Sequence, residues 1–158
     1  MTNAFGVREL EASVPVKAPS GFAIAFLNTY VREVGGDADG NLPMRYTVTQ
    51  LAGLTLERDV TVRVDYHTLP NESAHLHICW EPDASLFPSF QGTLHADATG
   101  ERTCTLHIAG TYEVPGGMAG QLFDNVIGVR IAHGSLEQLL EQFREAIEND
   151  YKKRMEYA

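Results

Sequence analysis

Phe90-Gln91-Gly92-Thr93-Leu94-His95-Ala96-Asp97, a break at Ala98-Thr99-Gly100-Glu101-Arg102, then Thr103-Cys104-Thr105-Leu106-His107-Ile108-Ala109-Gly110-Thr111-Tyr112: residues 90–112 decide the fold. In the first arm Phe90, Gly92, Leu94 and Ala96 alternate with Gln91, Thr93, His95 and Asp97. In the second, Cys104, Leu106, Ile108, Gly110 and Tyr112 alternate with polar neighbours. Period-two alternation is the mark of a half-buried strand, and two such arms about a glycine-bearing break predict an antiparallel hairpin with one wet face. A two-residue loop at Thr99-Gly100 would set Leu94 opposite Thr105 and mix the faces. A three-residue loop, Thr99-Gly100-Glu101, pairs Ala96 with Cys104 and Leu94 with Leu106, so this bulged hairpin is the expectation.

The same alternation extends towards the N-terminus. Leu76, Ile78 and Trp80 oppose His75, His77 and Cys79, and Val60, Val62, Val64 and Tyr66 oppose Asp59, Thr61, Arg63, Asp65 and His67. Met44, Tyr46 and Val48 share a face before that. From Arg8 to Lys17, Leu10, Ala12, Val14 and Val16 oppose Glu9, Glu11, Ser13 and Lys17 in another half-buried strand; Pro15 lacks an N–H, which sends this strand to an edge or ends it there. Ser20 is the expected N-cap of a helix carrying Phe22, Phe26, Tyr30 and Val34 on one stripe and ending at Gly35-Gly36. The loop Asp37-Ala38-Asp39-Gly40-Asn41 opens like a calcium loop, but Val48 stands where that loop needs a glutamate, so calcium is not expected. After Pro115-Gly116-Gly117 the period becomes helical: Leu122, Val126, Val129, Leu136, Leu140, Phe143, Ile147 and Tyr151 recur at three- and four-residue steps. They predict a helix of about 45 Å, kinked or restarted at Gly134-Ser135.

A chain of 158 residues, 44% hydrophobic and 21% charged, fits one globular domain. Its formal charge of −9 argues against a nucleic-acid partner. The only basic run, Lys152-Lys153-Arg154, complements the dipole at a helix end. No signal-peptide pattern and no apolar run of about 20 residues is present, so no membrane span is expected and the expected compartment is cytoplasmic. Cys79 and Cys104 are too few for a disulfide framework, and their alternation directs them to opposite faces.

The order strand, helix, five strands, long helix points to an α+β helix-grip fold: a curved antiparallel sheet of six or seven strands around a long C-terminal helix. Val14-Pro15-Val16-Lys17-Ala18-Pro19 leads into the first helix. Gly110-x-Tyr112-x-x-Pro115-x-Gly117-x-x-Gly120-x-x-x-Asp124 leads into the last. On these residues the chain resembles the START-like superfamily, also called SRPBCC, which includes polyketide cyclases, coenzyme Q-binding proteins and birch-pollen allergens. The resemblance implies one domain over residues 1–158, with a deep cavity between sheet and final helix that takes lipids, steroids, quinones or polyketides. The family has seven strands as a rule. Six are counted here, and a break near Gly53 could divide Met44 to Leu69 differently.

Nucleophile elbows, phosphate loops, His-Glu-x-x-His and Cys-x-x-Cys spacings are absent from the sequence. The glycines Gly116, Gly117 and Gly120 fit turn geometry or an anion cradle at the helix start. Outward alternation brings His75 near His95 and His77 near His107, but no carboxylate or cysteine completes a tetrahedral set. No metal and no cofactor are therefore expected. Inward, Tyr46, Tyr66, Trp80, Phe90, Tyr112, Phe123 and Ile127 are the expected lining of the sheet–helix space. Arg58 shares their parity and either snorkels from the strand's start or anchors a carboxylate, phenolate or carbonyl of a ligand. The inward glycines Gly92 and Gly110 make room for the helix or for a ligand, and a bulky residue at either is expected to fill that space with the fold intact. No Asp, Glu or His falls inward in the strands. Binding of an apolar or aromatic small molecule is thus the first expectation, and a polyketide cyclase or aromatase using the same cavity the alternative.

Overall fold

The alternation becomes one antiparallel sheet. The computed structural model describes residues 7–34, 41–49, 55–67, 74–80, 89–113 and 127–156. Its elements run β1 (Val7–Val16), α1 (Ser20–Val34), β2 (Asn41–Thr49), β3 (Thr55–His67), β4 (His75–Trp80), β5 (Ser89–Gly100), β6 (Thr103–Glu113) and α2 (Ile127–Glu156). The strands lie in the order β1-β6-β5-β4-β3-β2. Val60, Val62, Val64, Leu76, Ile78, Trp80, Phe90, Leu94, Cys104, Leu106 and Ile108 are all buried on one face. β2 starts earlier than expected, with Leu42 fully buried on that same face. β1 and β2 are the edges of the described sheet, and each carries an exposed proline: Pro15 opposite Thr105, and Pro43 opposite Thr61. Pro15 therefore lies on an edge strand, as its missing N–H requires.

Both helices lie over the inner face. α2 packs chiefly on β1 but also reaches β2, so it bridges the two edges of the curved sheet. Its buried stripe is Ala132, Leu136, Leu139, Leu140, Phe143 and Ile147. Each of the larger side chains contributes about 1.5–3 kcal/mol by leaving water. The helix runs unbroken through Gly134 and Ser135, against the expected restart, and Ser135 is fully buried. Leu122, Phe123 and Val126 lie outside the described residues. No described helix is long and apolar enough to cross a membrane.

In α1 the first helical bond runs from the Ala23 N–H to the Pro19 carbonyl at 3.0 Å. Pro19 is thus the cap and Ser20 the first helical residue, one step from the expectation. The fully buried stripe is Ala23, Leu27 and Val31. Phe22, Phe26 and Tyr30 are half-buried and form the seam with α2: Phe22 meets Tyr151 edge-on at 5.1 Å, and Tyr30 meets Phe143 at 6.3 Å. Gln142 Nε2 donates to the Tyr30 hydroxyl at 3.1 Å. The Lys17 backbone N–H donates to Glu148 Oε2 at 2.9 Å, and Arg144 Nη1 donates to Glu148 Oε1 at 2.9 Å. One carboxylate so fastens α2 to the β1–α1 corner.

The β5–β6 hairpin differs from its expected register by two residues. Ala96 pairs with Leu106, Leu94 with Ile108 and Ala98 with Cys104; Gly100 pairs with Thr103, with an irregularity between Ala98 and Gly100. The turn is therefore Glu101-Arg102, tightened by a 2.9 Å bond between the Thr99 and Thr103 hydroxyls. A slip of two leaves every side chain on its own face, so the apolar pattern does not discriminate between the registers. The slip moves His107 from the neighbourhood of His77 to a position opposite His95, while His77 faces Thr93 and Asp65.

It also sets Gly92 opposite Gly110. A Cβ on Gly110 would stand 2.1 Å from the Gln91 carbonyl oxygen and 2.5 Å from the Gly92 Cα. A Cβ on Gly92 would stand 2.5 Å from the Ala109 carbonyl oxygen and 2.7 Å from Phe90 Cζ. Backbone, rather than helix or ligand, excludes side chains here. The expectation that a bulky residue fits with the fold intact is corrected accordingly. Gly21 in α1 is the contrast, with nothing within 4 Å of its Cβ position. Gly110→Ala and Gly92→Ala are each predicted to lower the unfolding free energy by about 1–3 kcal/mol. Gly21→Ala should raise it by up to about 1 kcal/mol. Urea denaturation measures all three, and equal midpoints at positions 21 and 110 would refute the close approach.

Candidate functional site

The register assembles an aromatic row on the inner face. Trp80 pairs with Phe90 and Phe90 with Tyr112, while Val62 flanks Trp80 and Arg8 flanks Tyr112. The Trp80 and Phe90 rings stack with centroids 5.0 Å apart, and Trp80, Phe90 and Tyr112 are each 3% exposed. The adjoining row is Ile78, Gly92 and Gly110. Phe90 Cζ lies over Gly92, so the ring occupies the space its neighbour's missing side chain leaves.

A hollow of about 340 Å³ opens at this end of the sheet, lined by Trp80, Phe90, Tyr112, Cys79, Ser89, Gln91, Thr111 and Glu113. The last five stand on outward parity, so the hollow wraps the rim where β4, β5 and β6 end. Arg8 is exposed on the inward parity beside Tyr112; the strand was read from Arg8, but only its apolar residues from Leu10 onward were set on the inner face, and one step back in the alternation would have found it. Burial pushes the Tyr112 phenol above its ordinary range, and the Arg8 charge partly offsets this. Tyr112 is therefore a protonated hydrogen-bond donor at neutral pH.

A second cleft, of about 510 Å³, lies between α1, β2 and α2, lined by Tyr30, Met44, Arg45, Gln138, Glu141, Gln142, Glu145 and Ala146. Its walls are mostly polar, and none of the expected site residues is among them. The Arg144 hydrogen bond holds the Glu141 carboxyl below its usual range. Leu76, Leu94, Ile108, Leu136 and Phe143 lie in the described interior, all fully buried.

Of the other expected site residues, Tyr66 shares the inner parity but is 37% exposed near the end of β3. The register sets Tyr46 opposite Arg58 on the face of Met44 and Val60. Ile127 opens α2. The side chains of Tyr46, Arg58 and Ile127, and all of Phe123, lie outside the described residues. Among the described residues no group of three or more His, Cys, Asp or Glu is gathered for a metal.

Solved structures share this architecture. A START superfamily protein from Mycobacterium smegmatis matches with a TM-score of 0.55 at 12% identity, over 89% of this chain and 97% of that one. A conserved protein from Geobacillus kaustophilus matches at 0.53 and 16% identity, over 92% and 96%. Norcoclaurine synthase from Thalictrum flavum, solved with dopamine and hydroxybenzaldehyde, matches at 0.51 and 11% identity, over 89% and 86%. The chain thus has the START-like helix-grip fold. No protein-family model matches the sequence, and no curated protein does.

The two cysteines are unbridged, Cys79 half-buried at the hollow and Cys104 buried under the helices. Burial, and then the charge of Asp97, raise the Cys104 thiol above its ordinary range. Iodoacetamide at pH 8 is predicted to alkylate Cys79 at least about tenfold faster than Cys104, because the thiolate is the nucleophile and access limits its reaction. Peptide mass mapping reads the two rates, and faster labelling of Cys104 would contradict the assignment of faces.

Proposed function

We propose that the chain binds an apolar or aromatic small molecule, of lipid, steroid, quinone or polyketide class, against the row Trp80, Phe90 and Tyr112. The observation that carries this reading is the convergence of those three rings on an open hollow of about 340 Å³, a volume within the usual range for small-molecule sites. The edges that Trp80, Phe90 and Tyr112 show at the hollow give a ligand apolar contact, and the protonated Tyr112 hydroxyl offers one donor to orient it. Arg8 supplies positive charge at the mouth for a carboxylate, sulfonate or phenolate. Gly92 and Gly110 enter as the device that brings the rings into line, with Tyr66 at the far edge of the same face. Tyr46, Arg58, Phe123 and Ile127 complete the proposed lining.

Binding is preferred to catalysis because the inner-face positions of the described strands carry no Asp, Glu or His to serve as acid or base. The fold likeness supports the reading in kind, since a structure with the same architecture was solved with two small aromatic molecules.

Trp80 is the only tryptophan and so reports on the site. Titration with 1-anilinonaphthalene-8-sulfonate and with progesterone should change its emission saturably. Arg8→Ala should weaken the sulfonate about tenfold while leaving the uncharged steroid within about twofold, the loss of one charge-assisted contact. Prior alkylation of Cys79 with N-ethylmaleimide should weaken both. Emission unchanged by either compound at saturation would rule the proposal out.

A further inference from the structure

The outer face of the sheet carries a row of imidazoles that the ligand-binding reading does not use. Register places His95 opposite His107 and His67 opposite His75, and His75 stands one residue beyond the last pair that joins β4 to β5, beside His95. The rings of His95 and His107 lie with centroids 5.2 Å apart. Each has a carboxylate behind it: Asp97 Oδ2 is 3.4 Å from His95 Nε2, and Glu11 Oε2 is 3.8 Å from His107 Nε2. Both rings are partly open to solvent, with side-chain exposures of 38% and 30%.

We propose that His95 and His107 form a two-imidazole chelate for a borderline divalent cation such as Zn²⁺ or Ni²⁺, with water filling the remaining positions. The spacing fits. With metal–nitrogen bonds of about 2.0–2.1 Å, the 5.2 Å between ring centres is short enough for one ion to reach a nitrogen of each ring when both turn towards it. The carboxylates take the part that second partners of metal-bound histidines play elsewhere. Both lie on the Nε2 side of their rings, where negative charge favours the proton and leaves the Nδ1 lone pair for the metal. Imidazole donors suit zinc and nickel, whereas calcium and magnesium prefer oxygen. Two protein ligands make a site that loads and unloads with metal supply rather than a structural centre. The sequence offered no carboxylate or cysteine to complete a tetrahedral set on this exposed face; in the proposed site water completes it. The two-residue change of register brings the two rings together, and Asp97 and Glu11 stand behind them.

Calorimetric titration of the full chain, made without a polyhistidine tag, with zinc chloride and with nickel chloride tests this. One equivalent should bind. His95→Asn and His107→Asn should each lower the affinity at least about tenfold, and Asp97→Asn by a smaller factor, as loss of a supporting partner does. His77→Asn, on the same face but opposite Thr93 and Asp65, should leave it unchanged. All these side chains are at least partly exposed, so the fold survives each change. Absence of binding at millimolar metal, normal binding by His95→Asn, or an equal loss in His77→Asn would each overturn the proposal.

Discussion

The inner and outer faces of this sheet both depend on how closely β5 approaches β6 at Gly92 and Gly110. Neither residue could carry a side chain, because the facing backbone already occupies the position of its first carbon. Since only one alignment sets glycine against glycine, the close approach selects that alignment from those sharing its parity. Three consequences follow together. The rings of Phe90 and Tyr112 become neighbours and carry the row on to Trp80. His107 comes to stand beside His95. The hairpin closes on Glu101-Arg102 rather than on Thr99-Gly100-Glu101.

How far the fold was legible follows from what period-two and period-3.6 patterns can encode. Val60, Val62 and Val64, or Leu76, Ile78 and Trp80, state which way each side chain points, and every described strand faced as read. The same pattern says nothing about slips by two, so the hairpin partners of Leu94 and His107 were misassigned while their faces were right. Phe22, Phe26, Tyr30 and Val34 were read as one stripe of α1. A hydrophobic stripe at four-residue spacing marks a buried side without saying which neighbour it meets. The sheet takes the smaller Ala23, Leu27 and Val31, and the rings go to α2. The candidate site was legible to the extent that it is a row on one face: Trp80, Phe90 and Tyr112 converge. The outward residues of the rim were not, because a hollow at the ends of strands draws on both faces and parity reads only one.

The hold on α2 is unequal in kind along its described length. Apolar burial against the sheet carries the stretch from Ala132 to Ile147, whereas towards the C-terminus specific contacts take over: Glu148 on the Lys17 backbone, Tyr151 on Phe22, and the Arg154 guanidinium 5.8 Å from the centre of the Phe22 ring. Apolar contacts are non-directional, and hydrogen bonds and edge-on rings are not. The C-terminal turns therefore define where the helix lies along the sheet, and the middle supplies most of the stabilisation. A helix that reaches both edges of a curved sheet needs such an index, since an apolar stripe alone would tolerate sliding by a turn.

An open sheet has two rims at which a foreign strand could dock and continue the ladder from one molecule to the next. Here each rim is interrupted by a residue with no hydrogen to offer, Pro15 on β1 and Pro43 on β2. A strand arriving at either rim finds a gap in the row of donors it would need, with charged Glu9 and Glu11 also exposed along β1. The described sheet is thereby guarded at both β1 and β2 against fibril growth through its own backbone.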